Sequence, residues 1–136
     1  MHEFCEIDDN SNVYGSNLED HQELREFRDG KLKSDHFLPG KYGKKGMLPF
    51  QNKPGDECTE PDKGRFCFNA GDLRVNEMIG LTTTHLIWFR EHNRIAEALK
   101  ELNPFWSDEQ LYTESRRILN AEYQHIIYNE WLPIIV

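Results

Sequence analysis

The stretch from Glu77 to Leu102 decides most of what this chain can become. Leu81, His85, Trp88, His92, Ile95, Leu99 and Leu102 recur at spacings of three and four, the signature of one face of an α-helix. Leu86, Ile87 and Phe89 lie off that face and are apolar too, so the middle of the helix is apolar nearly all round. A helix of that kind belongs inside a core. Asn103-Pro104 breaks it, because proline has no N–H and restricts the residue before it. Ser107 followed three residues later by Gln110 has the form of a capping box, which opens a second helix over Asp108 to Trp131, with Pro133 expected to end it. The run Trp131-Leu132-Pro133-Ile134-Ile135-Val136 carries no polar tail, so the sequence reads as a piece of a larger core.

The first half is built differently. Residues 1–16 are polar and irregular, ending at Gly15, which permits a turn, and Ser16, which can cap a short helix over Asn17 to Phe27 with Leu18, Leu24 and Phe27 as its apolar contacts. From Asp29 to Asp72 the periodicity disappears. Prolines and glycines punctuate a long connection, with two short strands expected around Leu32 to Phe37 and Met47 to Phe50. A connection of that length is either functional or packed on something else. The expected architecture is mainly α, in three parts: a short-helix segment at 1–28, the long irregular segment with its two short strands at 29–72, and two core helices at 73–136.

Charge and length exclude several functions. The 136 residues suit one domain or part of one. Lys plus Arg number 16 against 24 Asp plus Glu, so the chain offers nucleic acid or an anionic membrane no electrostatic attraction. No apolar run approaches the roughly 18 residues of a membrane span, and the first thirty residues hold no signal-peptide core. Of the three cysteines, Cys58 and Cys67 flank a short polar stretch; their spacing alone leaves a disulfide and two free thiols equally open, with Cys5 unpaired.

Chemistry-bearing candidates are few. His85 and His92 stand two helical turns apart and could share a metal, although histidines on an apolar stripe are more often core residues with satisfied ring nitrogens. Asp8, Asp9, Asn10, Ser11 and Asn12 offer oxygen ligands suited to a hard cation, without the spacing of the twelve-residue calcium loop; a solvated acidic turn is the commoner meaning. Arg74 and Glu77 fall about one turn apart where the chain enters the core, and a structural ion pair is the plain reading. Phosphate loops, Cys-x-x-Cys pairs, His-Glu-x-x-His and serine elbows are absent, which removes support for nucleotide binding and hydrolysis.

Four blocks then line up. Ala70-Gly71-Asp72-Leu73-Arg74-Val75-Asn76-Glu77, Gly80-Leu81-Thr82 through Trp88-Phe89-Arg90-Glu91-His92-Asn93-Arg94-Ile95-Ala96, Leu102-Asn103-Pro104 with Trp106-Ser107-Asp108-Glu109, and Tyr128-Asn129-Glu130-Trp131-Leu132-Pro133 are similar, in order and spacing, to the animal haem peroxidases. The match extends upstream to Asn12-Val13-Tyr14-Gly15-Ser16, and only about the first eight residues depart. The resemblance implies an oxidoreductase that uses hydrogen peroxide and haem b on a small-molecule substrate. Arg74 matches the distal arginine, which helps to polarise the peroxide O–O bond. Glu77 matches a carboxylate that in many members forms an ester to a haem methyl, and Met78 falls where one branch has a methionine bonded to a haem vinyl. His85 and His92 match no haem ligand. Asp9 and Ser11, with the backbone of Ile7, match part of a calcium loop, while Cys5 stands where threonine is usual. Cys58 and Cys67 match a paired-cysteine loop, so a disulfide and a secretory or extracellular location are implied. The family's distal and proximal histidines would fall outside these 136 residues, so the expected partner is the rest of the peroxidase domain. The alternative is a non-catalytic, structural or adhesion piece of such a protein.

Overall fold

The computed structural model describes residues 10–38, 45–51 and 58–136. Its centre is an antiparallel pair of long helices. Against the first of them pack a short N-terminal helix, one strand of a small hairpin and the turn that precedes this long helix.

Helix α1 spans Ser11–Tyr14 and α2 spans Leu18–Leu24. The cap of α2 is Asn17 rather than Ser16: its side chain accepts the Asp20 backbone N–H at 2.9 Å. This helix also stops three residues before the expected Phe27. Arg25 turns extended and bridges to Leu32, because its buried guanidinium is drawn to Asp108 at 2.8 Å and Glu109 at 2.6 Å, acids remote in sequence. Phe27, Asp29 and Gly30 then take positive φ, which reverses the chain; Leu18 and Phe27 are exposed.

Strands β1 (His36–Leu38) and β2 (Lys45–Met47) pair antiparallel, with Phe37 opposite Gly46. They stand displaced from the expected spans. Leu32 is instead taken by the bridge to Arg25, and Phe50 by one to Phe68. The described parts of the long segment are clamped by polar residues of the next helix. Asn93 exchanges two hydrogen bonds with the Leu32 backbone at 2.8 and 3.1 Å, and Arg90 Nε donates to the Gly46 carbonyl at 2.9 Å. These bonds satisfy backbone groups that would otherwise face a helix without partners.

A 3-10 turn at Pro61–Lys63 lies inside the loop closed by the Cys58–Cys67 disulfide, whose Cα atoms are 5.5 Å apart. The bridge settles what spacing alone left open. For a loop of nine-residue separation, the entropy removed from the unfolded chain corresponds to about 2 to 3 kcal/mol. Reducing the bridge is therefore expected to lower the thermal midpoint by several degrees; an unchanged midpoint would show that the loop carries none of the stability.

A second 3-10 turn, Leu73–Asn76, precedes α3 (Ile79–Leu102). The helix begins two residues later than expected because Met78 is extended, with φ −153° and ψ 152°. Its buried line runs through His85, Phe89, His92, Ile95 and Ala96. Phe89, read as lying off the face, is therefore central, while Leu102 is exposed and Leu81, Trp88 and Leu99 sit at the margins. Helix α4 (Asp108–His125) starts with the expected capping box: Gln110 N–H donates to Ser107 Oγ at 3.3 Å and Ser107 N–H to Gln110 Oε1 at 2.9 Å. Leu111, Ser115 and Leu119 form its buried line.

Pro133 does not end the helical run. A π-helical segment, Ile126–Trp131, follows α4, and α5 (Leu132–Ile135) carries Pro133 in its first turn. Leu132 N–H reaches back to the Ile127 carbonyl, a five-residue step. The widened turn accommodates a ring that would collide with the carbonyl four residues earlier in a regular α-helix. Among the described residues no helix is long and apolar enough to cross a membrane.

Candidate functional site

The segment 69–78 divides cleanly into residues that hold it and residues that it displays. Gly71 lies against the backbone of Ser11, Tyr14 and Gly15, so close that any side chain there would collide. Asp72 caps the 3-10 turn by accepting Arg74 N–H at 2.8 Å. Val75 is buried, and its carbonyl accepts Thr82 Oγ1–H at 2.5 Å. Asn76 exchanges bonds with the Phe68 backbone, accepting at 2.8 Å and donating at 2.9 Å. Each of these residues fixes backbone.

What the turn displays is Arg74, Glu77 and Met78. Arg74 does not pair with Glu77. Its Nε lies 3.0 and 3.1 Å from the two Asp72 carboxylate oxygens and its Nη2 lies 2.6 Å from Oδ2. Nor is Arg74 buried; the pair sits at the protein surface. A step of two residues on a 3-10 turn brings Asp72 to the guanidinium, whereas Glu77 already belongs to the next turn. The guanidinium holds the Asp72 carboxyl down to about 2, and the same contact raises Arg74.

Arg74, Glu77 and Asp72 share a cleft of about 460 Å³ with Ser11, Asn12 and His85. Nearby in sequence stand exposed apolar side chains: Leu73 is 88% exposed, Met78 59% and Ile79 84%. Ser11, the first residue of α1, is engaged within the fold. Asp9 and Ile7 lie outside the described residues.

The two histidines of α3 do not form a metal pair. The Tyr14 hydroxyl donates to His92 Nδ1 at 2.8 Å, and His92 Nε2–H donates to the Gly30 carbonyl at 2.8 Å. The acceptor role of the carbonyl places a proton on Nε2, and burial keeps the ring neutral, with Nδ1 free to accept. Burial pushes its pKa down to about 4; the Arg25 and Arg116 charges push the same way, against the hydrogen bond to Gly30. His85 Nδ1–H donates to the Leu81 carbonyl at 2.7 Å, and its Nε2 is buried without a partner. Among the described residues no three His, Cys, Asp or Glu side chains converge on a metal position.

Sequence reasoning missed Arg25 and Tyr14 entirely. Their partners are 83 and 78 residues away, so no local pattern announces them. Asp72 was visible in the motif, but its grip on Arg74 depends on the 3-10 turn.

The sequence profile of the animal haem peroxidases matches residues 3–136. The chain is 46% identical over 129 residues to the chorion peroxidase of Aedes aegypti, a match covering 94% of the chain and 15% of that protein. It is 44% identical over 130 residues to the human peroxidasin homolog, covering 94% and 9%. Among solved structures, peroxidase A from Dictyostelium discoideum superposes with a TM-score of 0.75 at 30% identity, covering 93% of the chain and 24% of that structure. An Oryza sativa fatty acid alpha-dioxygenase superposes at 0.58 with 31% identity, covering 83% and 15%. The chain thus spans a small part of its relatives, and over that part its helical fold and its motifs agree with theirs: it belongs to the animal haem peroxidase family.

Proposed function

We propose that this chain forms part of the haem-facing wall of a peroxidase domain that uses hydrogen peroxide to oxidise a small-molecule substrate. The observation that carries the proposal is that exposed apolar Leu73, Met78 and Ile79 stand within a few residues of exposed Arg74 and Glu77, which line one cleft. Exposed apolar patches flanked by charge suit a large flat ligand with polar edges. Haem b fits that description, and when bound it supplies the iron centre that accepts oxidising equivalents from peroxide.

The chain's own residues have separate tasks. Arg74 presents the N–H groups left free by Asp72 and stabilises negative charge developing on a peroxide oxygen. Glu77 offers an exposed carboxylate for anchoring the ring edge, and Met78 a thioether beside it. Ser11, with Asp9 and the Ile7 carbonyl, would supply part of a calcium shell completed by an aspartate from elsewhere in the domain. The disulfide favours an oxidising compartment, on the secretory route or outside the cell.

A haem titration of the purified chain followed at the Soret band, with Arg74→Ala beside it, tests the assignment. Saturable uptake weakened by the substitution is the expected result, and a peroxide-dependent spectral change would extend catalysis to the chain itself. Uptake that ignores Arg74, or no uptake, would favour the second reading, a non-catalytic structural or adhesion segment.

A further inference from the structure

We infer that Asp72 is the positioning residue of Arg74, fixing which edge of the guanidinium faces the cleft. The inference rests on the reading of Arg74 as the cation that meets peroxide, but its geometry stands independently. Asp72 spends both carboxylate oxygens on Nε and Nη2, at 2.6 to 3.1 Å. A guanidinium has five N–H groups in one plane. Two are taken along the Nε–Nη2 side, so the Nη1 pair and the second Nη2 hydrogen remain, directed away from Asp72. That leaves an end-on fork, the geometry that holds a two-oxygen ligand.

The plane cannot swing freely, because Asp72 is itself fixed. Its Oδ1 also accepts the Arg74 backbone N–H at 2.8 Å, and Gly71 seats the preceding residue against α1. One carboxylate therefore both starts the turn and orients the side chain that the turn displays. An exposed arginine without this grip would sample many rotamers, and ordering it at the moment of reaction would carry an entropic cost.

Substitution separates the two tasks. Asp72→Asn keeps an oxygen that can cap the turn, since asparagine is among the best N-cap residues, but while capping that oxygen has one lone pair left for the guanidinium, and the NH2 group that replaces the other oxygen cannot accept. Asp72→Glu retains the carboxylate. The measurement is the water-exchange rate of the Arg74 Nε–H by NMR on the ¹⁵N-labelled chain, assigned by its loss in Arg74→Lys. In the native chain exchange is expected to be about tenfold slower than in Asp72→Asn, with Asp72→Glu partly restoring the protection and the amides of residues 73–76 unchanged. In Arg74→Ala the Asp72 carboxyl, followed by ¹³C NMR, should titrate near its ordinary value instead of about 2. Equal exchange in the native chain and Asp72→Asn, or an Asp72 titration indifferent to Arg74→Ala, overturns the inference. Neither readout uses haem, so a failed haem titration with intact Arg74 protection would sink the functional reading alone.

Discussion

Lowering the pH from 7 to 4 is expected to remove about 3 kcal/mol of stability through His92 alone. The ring is buried, neutral in the fold, and doubly committed, accepting from Tyr14 and donating to Gly30. Its folded pKa, about 4, lies below the ordinary value of 6.5, so between those values the unfolded chain binds the extra proton. Stability from this group is therefore fully present above about 6.5 and is lost as the pH falls through the folded value. The charged groups facing the ring, Arg25 from the end of α2 and Arg116 from α4, are both cationic and oppose its protonation. Asp72 acts in a different window: its depressed carboxyl contributes above 3.8, and that contribution disappears as the pH approaches 2. Urea midpoints at pH 7 and pH 4 should show the loss in the native chain and a much smaller one in His92→Gln, which does not titrate. Equal losses in both would place the acid sensitivity elsewhere.

Gly30→Ala is expected to destabilise the chain by about 3 kcal/mol, combining a left-handed conformation with overpacking. Gly30 has φ +71°, and an added Cβ would lie 2.6 Å from both Leu111 Cβ and the Tyr112 backbone nitrogen. Relief by moving the loop would stretch two bonds at once, Gly30 N–H to Asp108 Oδ1 at 2.7 Å and His92 Nε2–H to the Gly30 carbonyl. Gly64 provides the comparison. It has φ +66° with nothing near its hypothetical Cβ, so Gly64→Ala should show the conformational part only, about 1 to 2 kcal/mol. If chemical denaturation finds the two substitutions equally costly, the 25–32 turn is not held against α4 as closely as described.

The parts of the fold that local chemistry determines were legible in the sequence. Ser107 and Gln110 lie within one turn of each other, and their reciprocal bonds formed as read. The end of α2 was not legible, because Arg25 answers to Asp108 and Glu109 across the molecule. Periodicity placed α3 and put the buried His85, His92 and Ile95 on its face, but it included Trp88 and Leu99 and left out Phe89, whereas Phe89 and Ala96 are the more deeply buried. The reason is that Arg90, His92 and Asn93 face the loops as hydrogen-bonding clamps, which hydrophobicity alone does not register. At the candidate site, the motif identified Arg74, Glu77 and Met78 as residues of interest. It did not reveal that Gly71, Asp72, Asn76 and Thr82 serve mainly to hold them in place, since those roles exist only once the 3-10 turn has formed.

The π-helical segment has an effect beyond admitting Pro133. One residue more than an α-turn requires shifts the phase of everything after it by about 100°. The line through Leu111, Ser115 and Leu119 is buried, whereas Ile126, Trp131, Ile134 and Ile135 are exposed. The rod that begins buried against α3 therefore ends in apolar side chains open to a neighbour.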